Sequence, residues 1–147
     1  MREIKGNLWN YFGKPYTVVL ITTNGFVKKN GEAVMGRGCA REACKRFPRL
    51  AEQLGDWIQK QGNIPCWLRE NLATFPVKHN WWMKADPELI AESAKWLCDL
   101  AMNTLPDHTF ILPRPGCGNG QLSWLDVKPL IDWLPDNVVV IDFERLP

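Results

Sequence analysis

The residues best placed to do chemistry in this chain are glycines. The stretch Pro115-Gly116-Cys117-Gly118-Asn119-Gly120-Gln121-Leu122-Ser123-Trp124 sets three alternating glycines between an apolar run, Thr109-Phe110-Ile111-Leu112, and a helix-like pattern. A loop with so little side-chain bulk lets a ligand reach the backbone and offers free N–H groups to an anion. A second glycine-rich turn, Gly31-Glu32-Ala33-Val34-Met35-Gly36-Arg37-Gly38, also follows an apolar run and opens a helical pattern. Two such turns in one small chain are expected to close over one phosphate-bearing ligand.

Other reactive residue types are less promising. The five cysteines, Cys39, Cys44, Cys66, Cys98 and Cys117, form no CxxC pair, and His79 and His108 do not complete a zinc pattern. Reduced, mostly buried thiols and no bound metal are expected. Cys117 lies in the glycine loop, but no base stands near it in the sequence, which argues against a thiol nucleophile. Net charge is only +2, yet Lys28, Lys29, Arg37, Arg41, Lys45, Arg46 and Arg49 crowd one segment against Glu32 and Glu42. The residues from Asp86 onward are acidic overall. A basic patch beside a glycine turn suits an anionic ligand or a nucleic-acid backbone; a solvated helix face is the plain alternative.

The elements that must position these loops follow from hydrophobic patterning. At 147 residues the chain is expected to be one domain that buries roughly 70% of its unfolded surface without disulfide or metal staples. The apolar runs are too short to span a bilayer and the first residues lack a signal-peptide core, so a cytoplasmic location is expected. Tyr16 to Thr23 is a β-branched run of the kind buried on both faces of a parallel sheet. Helices are expected over Cys39 to Phe47 and Arg49 to Gln61. A strand over Asn71 to Val77 is one that Pro76 should end or push to an edge. Asp86-Pro87-Glu88 is a helix start, with Ile90, Ala94, Leu97 and Ala101 on its apolar face, widened by Leu89 and Leu100. Strand Thr109 to Leu112, a helix opened by Ser123 and running through Trp133, and strand Asn137 to Phe143 complete the alternation. Pro129 is awkward inside that helix. The pattern is that of a three-layer α/β domain, with both glycine loops past the carboxyl ends of strands. Most of the eight tryptophans are expected to pack in the core or between helices, while Trp81-Trp82 could flank a ligand.

Together these residues resemble the macrodomain family of ADP-ribose-binding modules, over nearly the whole chain. The likeness rests on Lys5-Gly6-Asn7-Leu8, Asn24 after the first buried strand, and Val34-Met35-Gly36-Arg37-Gly38-Cys39-Ala40. It extends to Gly116 through Trp124, with Val127-Lys128-Pro129-Leu130-Ile131. Pro129 is then a family feature. The resemblance implies one macrodomain over residues 1–147, a three-layer α/β/α fold with a mixed, mostly parallel sheet, and no cofactor. Within the family, Phe75-Pro76-Val77-Lys78-His79-Asn80-Trp81 is similar to the strand-end motif of the DNA ADP-ribosyl glycohydrolase antitoxins and terminal ADP-ribose protein glycohydrolases. There a lysine faces the distal ribose, so Lys78 is the implied catalytic residue. A lysine crowded by cations or desolvated by aromatics such as Trp81 loses basicity and becomes nucleophilic.

The resemblance also implies the binding set. Gly36, Arg37, Gly38 and Cys39 would cradle the diphosphate and distal ribose, and Gly116, Cys117, Gly118, Asn119 and Gly120 would cover the other side. Asn24 would hydrogen-bond the distal ribose, and Asn7, Leu8 and Phe143 would lie toward the adenine. Two departures bear on activity. Asn7 stands where many macrodomains have an aspartate for the adenine amino group; its carbonyl can still accept, without charge assistance. Gly120 stands where protein-directed hydrolases carry an aspartate, which leaves Lys78 without that acid–base partner and favours the DNA-directed branch or a non-catalytic binder. The implied partners are ADP-ribose and ADP-ribosylated nucleic acid or protein, with no membrane; no oligomer seam is visible, so a monomer is expected. Three activities stay open: a lysine-dependent hydrolase, a non-catalytic ADP-ribose reader, and a phosphatase on ADP-ribose 1″-phosphate using Arg37.

Overall fold

The computed structural model describes residues 1–143. Six strands form one sheet: β1 (Arg2–Gly6), β2 (Thr17–Asn24), β3 (Trp67–Arg69), β4 (Leu72–Lys78), β5 (Thr109–Pro113) and β6 (Val138–Phe143). Their spatial order is β1-β6-β5-β2-β4-β3, parallel throughout except where β3 runs antiparallel to β4. Four helices cover it: α1 (Gly38–Arg46), α2 (Leu50–Gln61), α3 (Pro87–Asp99) and α4 (Trp124–Ile131).

Strand side chains alternate between two cores, as the pleat requires. Val18, Leu20, Phe75, Phe110, Leu112, Val138 and Val140 pack under α3 and α4. Val19, Ile21, Leu72, Ile111, Val139 and Ile141 pack under α1 and α2. The central strands are therefore apolar on both faces; the three-layer α/β architecture is what the patterning implied, and the mixed, mostly parallel sheet what the resemblance implied. The side chains of Ile90, Ala94, Leu97 and Ala101 are all buried on the sheet side of α3 and its final π turn, Leu100–Thr104. Asp86 caps α3 by accepting from the Glu88 amide (3.0 Å), and Ser123 caps α4 by accepting from the Leu125 amide (3.2 Å).

Several expectations shift. β1 and β3 were not evident: Arg2–Gly6 is mostly polar and exposed, and β3 is only three residues long. The helix from Ser123 stops at Ile131 rather than Trp133, whose indole instead donates to the Leu130 carbonyl at 2.7 Å. Pro76 does not end its strand, which runs on to Lys78. It lies beyond the last β3–β4 pair, Trp67↔Ala73, where β4 keeps only β2 as a neighbour, and β2 shifts register there between Thr23 and Asn24. A missing N–H is harmless in that position. The tryptophans are the largest correction: only Trp9 is buried, while Trp67, Trp81, Trp82 and Trp133 are exposed.

Candidate functional site

All five parallel strands end along one edge of the sheet, where the connections leave a cleft of about 780 Å³. Lys78, Asn7, Leu8, Asn24, Gly36, Arg37, Gly38, Cys39, Trp81, Gly116, Cys117, Gly118, Asn119, Gly120 and Phe143 all line it. The volume lies in the range of roughly 300–1,000 Å³ typical of small-molecule sites.

One wall starts at Asn24. Its side-chain amide donates to the Val34 carbonyl (2.9 Å) and accepts from the Phe26 amide (3.0 Å), so it clips the end of β2 to the segment before α1. The second glycine-rich turn therefore divides into two parts. Gly31 closes a tight turn onto Lys28 and packs against α2 at Gly55, where a Cβ would run into the Gly31 carbonyl oxygen. The later part, Val34 to Gly38, lines the cleft. At the start of α1 the first helical bond runs from the Arg41 amide to the Arg37 carbonyl, and Arg37 gives no side-chain cap. The amides of Gly38, Cys39 and Ala40 are thus left for an anion at the positive end of the helix.

The opposite wall is the glycine loop. Gly116 (φ +77°) packs so closely that a Cβ would come within 2.8 Å of Ile90 and 3.0 Å of Ala85 and Leu122. Gly118 (φ +68°) is open to the cleft, with nothing within 4 Å of a Cβ. The Leu122 amide donates to Gly116 and the Ala85 amide to Gly120, tying the loop to the entry of α3. The two walls nearly touch: a Cβ on Gly38 would lie 3.4 Å from the Asn119 side chain.

Lys78 spans this gap from the end of β4. Its ammonium donates to the Asn119 carbonyl at 3.0 Å and to the Trp81 carbonyl at 3.4 Å. Its own carbonyl accepts from the Gly25 amide and the Asn63 side chain, which fixes the strand end. Desolvation, and then the Arg37 guanidinium, hold the Lys78 amine below the ordinary lysine range. The thiols behave differently. Burial pushes both Cys39 and Cys117 up, so at neutral pH they are protonated and poor nucleophiles.

Asn7 sits at the far end, where its side-chain oxygen accepts from the Trp9 amide (2.9 Å) and caps the turn Leu8–Asn10. Its amide nitrogen stays available, and Leu8 is buried beside it. Phe143, paired in register with Gly6 at the end of β6, is exposed at the cleft rather than buried in the core.

Sequence reading missed the residues behind this end. Glu3 on β1 accepts from the Trp124 indole (2.9 Å) and pairs with Lys128 (2.6 Å), while Arg114 lies between Glu3 (3.9 Å) and Asp142 (3.6 Å) and over the Trp124 ring. Arg114, Trp124 and Asp142 line the cleft. Trp124 and Lys128 lie in stretches already read from the sequence, but nothing local marks Arg114, Asp142 and Glu3, which the fold alone brings to them.

No protein-family model and no curated protein sequence matches the chain. Solved structures do. The Thermosipho africanus DarTG in complex with ADP-ribose superimposes with a TM-score of 0.74 at 20% identity, covering all of this chain and 43% of that one. The chain therefore spans less than half of the Thermosipho africanus protein. The macrodomains of Mycobacterium tuberculosis DarG (TM-score 0.71, 21% identity) and Thermus aquaticus DarG (0.66, 24%) match over 99% and 98% of this chain and 97% of each of theirs. The chain has the macrodomain fold. In that fold the cleft lies where the carboxyl ends of the strands meet the helix N-termini, the usual ligand position of an open α/β sheet. Among the described residues, no helix is long and apolar enough to cross a membrane.

Proposed function

We propose that this macrodomain cleft binds ADP-ribose and that the protein hydrolyses ADP-ribose from a macromolecule, with a nucleic-acid base as the favoured acceptor. Support for binding comes from two facing walls of free backbone amides, suited to a diphosphate, and from the ADP-ribose held by the Thermosipho africanus neighbour. Asn7, Leu8 and Phe143 then lie toward the adenine, and Lys78 and Trp81 toward the distal ribose.

The observation that carries the enzymatic reading is the state of Lys78. It is a partly desolvated amine of lowered basicity at the junction of both loops, held by carbonyls rather than by a carboxylate. Such an amine is neutral more often than a surface lysine and can attack or assist at the anomeric carbon. Overall, the bond from that carbon to the acceptor breaks, water supplies the oxygen that replaces it, and a water proton ends on the leaving base. Among the described residues no carboxylate hydrogen-bonds Lys78, and this favours the second reading, a reader that binds without turnover.

The deciding experiment follows release of free ADP-ribose from ADP-ribosylated single-stranded DNA, with Lys78→Ala alongside. The hydrolase reading expects release by the parent and none by the variant, with ADP-ribose affinity kept within tenfold, about 1.4 kcal/mol. Binding without release by either protein supports the reader. Release of phosphate from ADP-ribose 1″-phosphate, lost in Arg37→Ala, would assign a phosphatase.

A further inference from the structure

Most exposed apolar side chains of this protein are scattered, but one group is continuous and stands at the rim of the cleft. Trp82, 56% exposed, packs edge-on against Trp81 (5.4 Å between ring centres) and against Phe26 (5.3 Å). Trp81 is 51% exposed, and its carbonyl accepts from Lys78, so the rings begin where the proposed chemistry ends. Trp82 itself does not line the cleft. Large aromatics left in water at such a place are costly unless something covers them.

The surrounding charge says what that occupant is. Lys84 follows the tryptophans, Lys28 and Lys29 follow Phe26, and Arg37 lies within the cleft beside Lys78. Lys28 has a partner in Glu32 (3.8 Å), whereas among the described residues Lys29, Lys84 and Arg37 have no carboxylate within ion-pair distance. Aromatic faces interleaved with unpaired cations are what an unpaired polynucleotide needs: bases stack, and phosphates find ammonium groups. A duplex keeps its bases inside and cannot use the rings. A second copy would bring the same cations against themselves.

We propose that the Phe26–Trp82–Trp81 rim is a stacking platform for bases of a single-stranded polynucleotide flanking the modified nucleotide. It rests on the hydrolase reading only for the position of the ADP-ribose, and the test separates the two. Fluorescein-labelled, unmodified single-stranded 12-mer DNA is titrated by anisotropy, and ADP-ribose by calorimetry, against the parent, Trp82→Ala, Trp82→Phe and Lys84→Ala. Trp82→Ala is expected to weaken the oligonucleotide about 5- to 150-fold, the usual loss of one stacked base, while leaving ADP-ribose affinity and the melting temperature unchanged. Trp82→Phe restores most of the loss, and Lys84→Ala lowers the salt slope of binding by about 0.7. Equal oligonucleotide binding by parent and Trp82→Ala, or equal binding of duplex and single strand by the parent, overturns the platform. So does a dimer that Trp82→Ala converts to monomer with oligonucleotide affinity intact. Loss of ADP-ribose binding in the parent, with Trp82-dependent oligonucleotide binding, sinks the cleft assignment and leaves the platform standing.

Discussion

Gly116 and Gly118 look alike in sequence, and replacing each by alanine should give different proteins. Both adopt positive φ, at +77° and +68°, so alanine at either pays about 1–2 kcal/mol of left-handed strain. A stiffer unfolded chain returns about 0.5–1 kcal/mol in both cases. The packing differs. At Gly116 the new methyl meets Ile90, Ala85 and Leu122 at 2.8–3.0 Å, all of them in or against the core under α3, whereas at Gly118 it meets nothing within 4 Å. Overpacking of that kind costs about 1–3 kcal/mol. Gly116→Ala should therefore be less stable than Gly118→Ala by roughly 2 kcal/mol, which for a domain near 150 residues is about 4–8 °C in melting temperature. Thermal and urea unfolding of both variants under identical conditions measure the gap. Equal melting temperatures would refute the argument, since they would mean that Ile90 and Leu122 yield without cost and that Gly116 is no more than another ligand-facing glycine.

Two further outcomes follow from the electrostatics. Arg37→Gln removes the cation that, after desolvation, lowers the Lys78 amine; if the neutral amine acts, the rise of activity with pH should move to higher pH, and a pH–rate profile on ADP-ribosylated DNA checks the direction. Around Glu3, the Lys128 hydrogen bond leads the effects that hold the carboxyl below the usual range. A depressed folded pKa means stability that is present above the unfolded value, about 4.3, and lost as pH falls through the folded one. Glu3→Gln should thus flatten the acid limb of the stability curve below about pH 4.3, with little change in acid dependence above pH 5, as read by urea unfolding across pH.

The sequence by itself determined the parts whose physics is local. Continuous β-branched runs identify strands buried on both faces, because only a sheet covered by helices on each side has such strands. Asp86-Pro87 and Ser123 announce helix starts because a cap bonds amides two residues away. Glycine loops could be singled out for the same reason, since backbone freedom is a short-range property, whereas Lys78 was marked by the family resemblance of its strand-end motif. What the tertiary structure alone decided depends on residues distant in the chain. The polar β1 is a strand only because β6, more than a hundred residues later, offers it a parallel partner. Pro76 is tolerated because β3 ends before reaching it, and Gly31 serves α2 packing while Gly36 and Gly38 serve the cleft. Lys78 acquires its lowered basicity from desolvation at the cleft and then from Arg37, 41 residues earlier, and its anchoring from Asn119, 41 residues later. Desolvation and Coulomb interaction act through space, so a linear sequence carries the groups involved but not the distances between them.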